Sequence, residues 1–599
     1  MTSLEAPDTL SSKSKFPLSK YSYGLGSSYL SIPLHRSKSM PLNSTRSNWT
    51  HDKTEATATG GMVSSRHPLS AEAGLEILKA GGNAVDAAVA ASFAESVVQP
   101  AASTIGGGGL FTISLASGET HGINYMWQAP LKASGNMFPM EGVPERGLFG
   151  WSGVKDQANE IGGLAVAVPG SVAGLVKASK QFGRLPLADV MRPAIRLAKE
   201  GFEMDWYGSL MAGIHLDILK RFPTTAKALL RDGEFPFRPN MIGRADIHRQ
   251  SSLAETLSAI AKDGAAAFYT GQIAKSIVDA VNAHGGVFSE EDLSTYEAIQ
   301  TKTIQVEYHG HVVRGQPAGF TIYGQCLNVL AHMDLGAYAP NSAKRLHLLI
   351  EVFRHCLRDR MKVNPDMGTR EGAWSYLLSA EYAKRLAQQI NRERRSDIVS
   401  WISDYQENQP AGDSRTVHIA AVDGEGSMAS LTETVIGNYG SFVMSDSGVL
   451  LNNGMISFAP VPGYSNSIEP GRRPSSFISP LHITRPDGSI FTVGSSGGIK
   501  IMTSVLQLTS FMIDHGMSPQ QAASQPRIDF EGPKVIVDGR FDQATLDELK
   551  DLGHDIEVRS EELSTFEYGN PCILSRDLNG VIQGGVNPYQ ATVAAGYDR

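Results

Sequence analysis

The sequence predicts a mixed α/β protein in which antiparallel sheets form a sandwich covered by helices. Three observations predict it: two well-signalled helices between residues 70 and 99, a β-hairpin at 416–434, and a series of short strands after that hairpin. Helices early and antiparallel strands late are the pattern of sheets packed face to face with helical layers outside.

The elements follow in chain order. Residues 1–58 are rich in Ser, Lys, Pro and Thr without a sustained apolar period, which predicts a disordered tail. Order begins near Gly61, where MVSS reads as a short strand. Ser70 is the expected N-cap of AEAGLEILKA, with Gly81-Gly82 as the stop. Asn83 opens AVDAAVAASFAESVVQ with Asp86 in the capping-box position and Pro100 beyond the end, and its alanines predict close burial. LAVAVPG, at 164–170, reads as a strand ending in a turn. Asp189 to Phe202 and Arg345 to Val363 read as helices. TVHIAAVD (416–423) alternates with period two, Gly424-Glu425-Gly426 turns the chain, and SMASLTET (427–434) returns. FVMSDSGVLLNN, HIT, IFTVGSS and KVIVDG are expected as further strands.

Composition narrows the function. The chain has 599 residues, 41% apolar and 19% charged, which excludes a fibrous or wholly disordered protein. A net charge of -8 argues against nucleic acid as an obligate partner. No run of about 18 apolar residues predicts a membrane span. The first ten residues, MTSLEAPDTL, lack a basic start and an apolar core, so the cytoplasm is the expected compartment. Cys326, Cys356 and Cys572 are too scattered for a disulfide framework or a zinc motif and are expected as buried thiols.

Several constellations are structural on chemical grounds. The GGGG run Gly106–Gly109 lacks a following Gly-Lys-Ser/Thr, so it predicts close backbone approach rather than a phosphate cradle. His67 before Pro68 shapes a turn, and Asp359 between Arg358 and Arg360 is expected in an ion pair. No HExxH or GxSxG signature is present. Thr416 differs, because it heads the hairpin directly after the polar stretch QENQPAGDSR. A hydroxyl following a strained peptide bond can attack that bond and cut the chain. The freed α-amine, with an ordinary pKa of about 7.7–8, then serves as base for its own hydroxyl. An ordinary strand threonine is the other reading of this residue.

From Gly61 to the C-terminus the sequence resembles the γ-glutamyltranspeptidase family of N-terminal nucleophile hydrolases. The blocks that carry the resemblance include SRHPLSAEAGLEILKAGGNAVDAAVAA, STIGGGG, VPGSVAG, GGVFSEEDLSTYEA, RTVHIAAVD, SDSGVLLNNGM, RRPSSFISP, GSSGGIKI and NPYQATVAAGYDR. The resemblance implies a four-layer αββα sandwich made as one precursor, with a large-subunit segment (59–415) and a small-subunit segment (416–599) in one intertwined fold. It implies cleavage between Arg415 and Thr416, Thr416 as nucleophile, and Thr434 as its supporting hydroxyl. Gly497 and Gly498 would build the oxyanion hole, and Ser476 would contact substrate. The implied partners are a small amide or γ-glutamyl-type substrate and the protein's own two fragments; no metal or organic cofactor is implied.

The same comparison exposes departures. Where γ-glutamyl-specific members carry an arginine that clamps the glutamate carboxylate, this sequence has Met126, which cannot form that pair. Ile436, Gly454 and Ser457 occupy positions where asparagine, glutamine and an acid are usual, and Phe477 replaces the second pocket serine. PAGF (317–320) replaces a Ser-Ser-Gly-Gly block, and the shorter segment between Met455 and Arg473 implies an open site. Arg472 and Arg473 could supply a new carboxylate contact; the other reading of both is a solvated loop, with Arg473 as the family's structural arginine. The expected function is therefore a self-processing N-terminal threonine amidohydrolase or acyltransferase whose acyl group is not glutathione's. The alternatives are a true γ-glutamyltransferase and a non-catalytic binding protein on the same scaffold.

Overall fold

The computed structural model describes residues 51–140, 153–241, 243–362, 375–397, 414–530, 532, 534–563 and 567–599. Two seven-stranded sheets form its centre. In the first, the strands run in the order Ala56–Ala58, Ile582–Val586, Asn570–Arg576, Ile490–Ser496, Leu481–Thr484, His311–Gly315 and Ile304–Tyr308. In the second the order is Val593–Tyr597, Gly61–Ser65, Ser414–Asp423, Met428–Gly437, Gly108–Ser114, Thr120–Asn124 and Ile299–Lys302. Every pairing in both sheets is antiparallel.

The two sheets face each other, with Ser414–Asp423 lying over Ile490–Ser496 and Asn570–Arg576. Gly494 makes that approach possible: a Cβ there would sit 1.9 Å from the His418 ring. Helices Pro68–Lys79 and Ala84–Val98 cover the outer face of the second sheet, and Pro317–Leu330 and Lys500–Asp514 cover the first. The result is the expected αββα order. Helix Ala84–Val98 is buried along its whole length, which only small residues allow. Its Asn83–Asp86 capping box forms as the spacing predicts.

Four expectations need correction. His67, not Ser70, caps the first helix: Pro68 takes the N1 position, and the His67 side chain accepts from the Leu69 N–H at 3.1 Å. Ser70 is instead buried inside the helix and donates to the Ala91 carbonyl at 2.7 Å. LAVAVPG is a 3-10 turn at Gly163–Ala165 followed by a single bridge from Val168 to Gln128, because no strand lies alongside it for longer. FVMSDSGVLLNN makes only the bridges Met444–Leu450 and Gly106–Leu451. Finally, order starts before residue 58, because Ala56–Ala58 pairs with the sheet edge at Ile582–Gly584 and Lys53 Nζ donates to the Gln590 and Thr592 carbonyls. The rest of the predicted tail, residues 1–50, lies outside the described residues, as does Val363.

The other helices and the hairpin form as read: Leu187–Glu200, Ala343–Lys362, and Ser414–Asp423 paired with Met428–Gly437. The three cysteines are buried and unpaired. Among the described residues no helix is long and apolar enough to cross a membrane.

Candidate active site

Thr416 lies near the start of an inner strand, and the hairpin register shifts there. Arg415 pairs with Ile436 and Val417 with Glu433, so two residues of the partner strand, Thr434 and Val435, stand opposite Thr416 and form a β-bulge. A bulge disrupts the ladder locally and re-aims the side chains of the bulged strand, here Thr434 and Val435, while Thr416 opposite them is 2% exposed at the wall of a cleft. Arg66, immediately after strand Gly61–Ser65, donates from Nη1 to the Thr416 carbonyl at 3.2 Å and from Nη2 to the Tyr207 hydroxyl at 2.6 Å.

Thr434 faces the same cleft from the partner strand. Its Oγ1 accepts the Ile436 N–H at 2.7 Å, a local turn at the bulge. Ile436 has φ +78°, a conformation costly for a β-branched residue, and the strain falls just after the bulge opposite Thr416. Asn453 braces that segment by accepting the Gly437 N–H at 2.9 Å. Asn452 ties Gly106 to Ala167, donating to their carbonyls at 2.7 and 2.9 Å. The GGGG run acts here as backbone contact: a Cβ on Gly106 would lie 2.2 Å from the Leu450 carbonyl oxygen, and one on Gly107 would lie 2.6 Å from that of Thr434.

Gly497 and Gly498 form the turn between strand Ile490–Ser496 and helix Lys500–Asp514, with φ of +129° and +63°. No L side chain adopts the first readily, and a Cβ on Gly497 would meet the Gly569 Cα at 3.1 Å. Gly498 borders the cleft; Gly497 is next to it in the turn but not in the cleft wall.

The cleft, of about 390 Å³ and partly open to solvent, brings together Thr416, Thr434, Ser457, Ser476, Met126 and Gly498. Trp127, Ile436, Ser475, Phe477, Ile478 and Ile501 complete its wall. Met126 is held through its backbone: its N–H donates to Asn124 Oδ1 at 3.1 Å and its carbonyl accepts from the Tyr296 hydroxyl at 2.8 Å. Ser457 ends a 3-10 turn, and its carbonyl accepts from Asn466 Nδ2 at 2.7 Å. Ser476 Oγ accepts the Ile478 N–H at 3.1 Å, while Arg360 Nη2 donates to the Ser476 carbonyl. The backbone of Arg415 is placed by its pairing; its side chain lies outside the described residues.

The ion pair expected at Asp359 forms, whereas the two loop arginines do not reach the cleft. Asp359 pairs with Arg358 at 3.0 Å, while Arg360 turns to Thr321, Ala318 and Ser476. Arg472 donates to the Ser467 and Ser465 carbonyls and pairs with Glu469 at 3.1 Å. Arg473 donates to the Glu297 carbonyl and lies over the Tyr296 ring at 5.2 Å. Neither Arg472 nor Arg473 borders the cleft.

Behind the strand that carries Thr434, burial lifts the Glu433 carboxyl to about 7, although it accepts from Ser92 at 2.6 Å and Ser103 at 3.2 Å. Burial raises Glu95 similarly, to about 7. Among the described residues, His347, Glu351 and His554 are a buried group with metal-ligand chemistry. Their two imidazoles hydrogen-bond each other at 2.8 Å, and Arg354 and Arg395 add positive charge beside His554, so the group reads as packing.

Sequence reasoning missed Arg66, Arg360, Trp127, Asn452 and Asn453. Asn452 and Asn453 left a signal, since the block LLNNGM holds adjacent asparagines within an apolar stretch. Arg66 and Arg360 left none, because each acts on a residue more than 100 positions away.

Two facing antiparallel sheets between helical layers, with a threonine on an inner strand at the cleft, are the architecture of an N-terminal nucleophile hydrolase. Residues 70–597 match the gamma-glutamyltranspeptidase family, and the chain belongs to that family. It is 34% identical over 522 residues to the Acylase ACY 1 proenzyme of Pseudomonas sp. (strain V22), a match covering 86% of this chain and 90% of that protein. It is 31% identical over 534 residues to the Glutathione hydrolase proenzyme of Escherichia coli (strain K12), covering 84% and 87%. Its fold superposes on cephalosporin acylase from Bacillus halodurans with a TM-score of 0.77 at 27% identity, covering 93% of this chain and 99% of that one.

Proposed function

We propose that the protein is a self-processing amide hydrolase or acyltransferase that works through an acyl ester on Thr416, with an acyl donor other than glutathione. The carrying observation is the meeting of Thr416 with Thr434, on the bulge opposite it, and with Gly498 of the Gly497–Gly498 turn at one cleft. Cleavage at Arg415–Thr416 divides the precursor into residues 1–415, which hold the large-subunit segment, and 416–599. The two fragments stay associated because each contributes strands to both sheets and they are hydrogen-bonded to one another there.

In the cycle, Thr416 Oγ attacks the substrate carbonyl and gives its proton to the freed α-amine. The developing oxyanion is met by the rigid N–H donors of the Gly497–Gly498 turn. The proton passes to the leaving amine as the C–N bond breaks, and an ester to Oγ remains. Water or a second amine then attacks the ester and restores the hydroxyl. Thr434 supports the nucleophile; Ser476, Met126 and Ser457 contact the acyl group. The relatives named as acylase proenzyme and glutathione hydrolase proenzyme support both the chemistry and the processing.

The test is mass spectrometry of the protein after brief exposure to acyl anilides. A mass increment equal to the acyl group on the peptide that begins with Thr416 is expected. An increment on another residue, or none with any amide while the chain stays uncut, removes this reading in favour of a binding protein on the same scaffold.

A further inference from the structure

We infer that the acyl group this cleft accepts is uncharged and mainly apolar. The inference rests on the reading of Thr416 as nucleophile and names the substrate class for that site.

The wall is the first argument. Six of its side chains, Met126, Trp127, Ile436, Phe477, Ile478 and Ile501, are apolar. The others are hydroxyls and Gly498, so no lining side chain is charged. A carboxylate carried into such a wall loses water and meets only neutral donors, the hydroxyls and the Trp127 indole N–H. No side-chain cation offsets its charge, and an α-ammonium group carried with it meets no side-chain carboxylate. An apolar chain gains at every methylene.

The fate of the adjoining cations is the second argument. Arg360 contacts the wall from outside at Ser476, Arg472 and Arg473 lie beyond it, and each is turned to backbone carbonyls. Arg360 reaches those of Ala318 and Ser476 from beneath and lies 5.7 Å from the Phe477 ring, so it braces the wall rather than entering the cleft. Arg472 is held by Ser465, Ser467 and Glu469. Arg473 keeps Nε and Nη1 without a hydrogen-bond partner, yet it packs over Tyr296 and does not reach the cleft wall. The backbone of Met126, where a clamping cation would have to stand, is fixed at both its N–H and its carbonyl.

The experiment compares p-nitroanilides that share a leaving group and differ only in the acyl part: butanoyl, hexanoyl, phenylacetyl, glutaryl and γ-glutamyl. From butanoyl to hexanoyl, kcat/KM is expected to rise roughly four-fold per methylene. Hexanoyl or phenylacetyl is expected to exceed glutaryl and γ-glutamyl at least ten-fold. Met126→Arg is expected to reverse that order, and Met126→Leu, which keeps volume without charge, to preserve it. The same protein is tested by saturation-transfer NMR for binding of phenylacetamide against glutaramate. This binding readout needs no turnover and covers the case in which the arginine variant fails to fold. Phenylacetamide alone is expected to bind. Faster turnover of glutaryl or γ-glutamyl anilide, or preferred binding of glutaramate, overturns the inference and would point to Arg473 as a carboxylate contact. Either result leaves the Thr416 reading intact, because that reading is judged by acylation at Thr416 whatever the acyl group.

Discussion

Arg66 holds the nucleophile's own backbone: its Nη1 donates to the Thr416 carbonyl at 3.2 Å while Nη2 donates to Tyr207. A planar guanidinium serves both acceptors at once; a lysine ammonium at that site cannot reproduce the fork. Arg66→Ala is therefore expected to slow self-cleavage and lower kcat about ten-fold or more, in line with a charged hydrogen bond of about 1.5–3 kcal/mol, with KM little changed. Arg66→Lys is expected to fall between. Cleavage half-times on gels, with kcat and KM measured separately, check this; an unchanged kcat in the alanine variant contradicts it.

Thr434 Oγ1 accepts the Ile436 N–H at 2.7 Å beside the cleft. Thr434→Ser keeps the acceptor, so activity is expected within a few-fold of the parent. Thr434→Val keeps the shape and loses the hydroxyl, leaving the N–H of a strained residue without it. Its kcat is expected to fall at least ten-fold, with a stability loss of about 1–3 kcal/mol. Kinetics and thermal unfolding of the two variants separate the catalytic effect from the structural one.

Glu433 and Glu95 make stability depend on pH. Burial is the first cause in both, lifting each from 4.5 to about 7, so the folded protein binds protons that the unfolded chain has released. Their favourable contribution is complete below about pH 4.5 and is lost as pH rises through 7. Melting temperature is expected to fall between pH 5.5 and 8. Glu433→Gln is expected to flatten that fall, removing at most about 3 kcal/mol of pH-dependent stability. Equal slopes for parent and variant would contradict the assignment.

How much of this was legible in the sequence depended on the range of the interaction. The capping box at Asn83–Asp86 and the 416–434 hairpin were readable because their partners are neighbours in sequence. The cap at His67 was misplaced to Ser70 because a serine is the usual capping side chain, whereas Pro68 fixes the helix start one residue after the histidine. FVMSDSGVLLNN looks like strand because its apolar residues serve a loop that packs on the Gly106 segment. In the site, Thr416, Thr434, Ser476, Met126 and Ser457 were found through family blocks and not through any periodicity, and they meet at one cleft. The turning away of Arg472 and Arg473 toward carbonyls was illegible, since an arginine in a loop carries no mark of where its guanidinium goes.

The glycine run sets a stability limit. A Cβ on Gly106 would lie 2.2 Å from a backbone oxygen that cannot swing away. Gly106→Ala is expected to cost about 3 kcal/mol or more and to reduce soluble yield. Gly118→Ala, with φ +88° but open space around it, is expected to cost only about 1–2 kcal/mol. Thermal unfolding of both variants checks the contrast, and a smaller loss at Gly106 than at Gly118 would contradict it.

The central claim is that Thr416 cuts the chain before itself and then becomes the nucleophile. Intact-mass measurement of the purified protein beside its Thr416→Ala variant tests it most directly. The account predicts two chains for the parent, one starting at Thr416 with a free α-amine, and one uncut chain for the variant. A parent that remains a single chain, or a variant that is cut at the same bond, would contradict it.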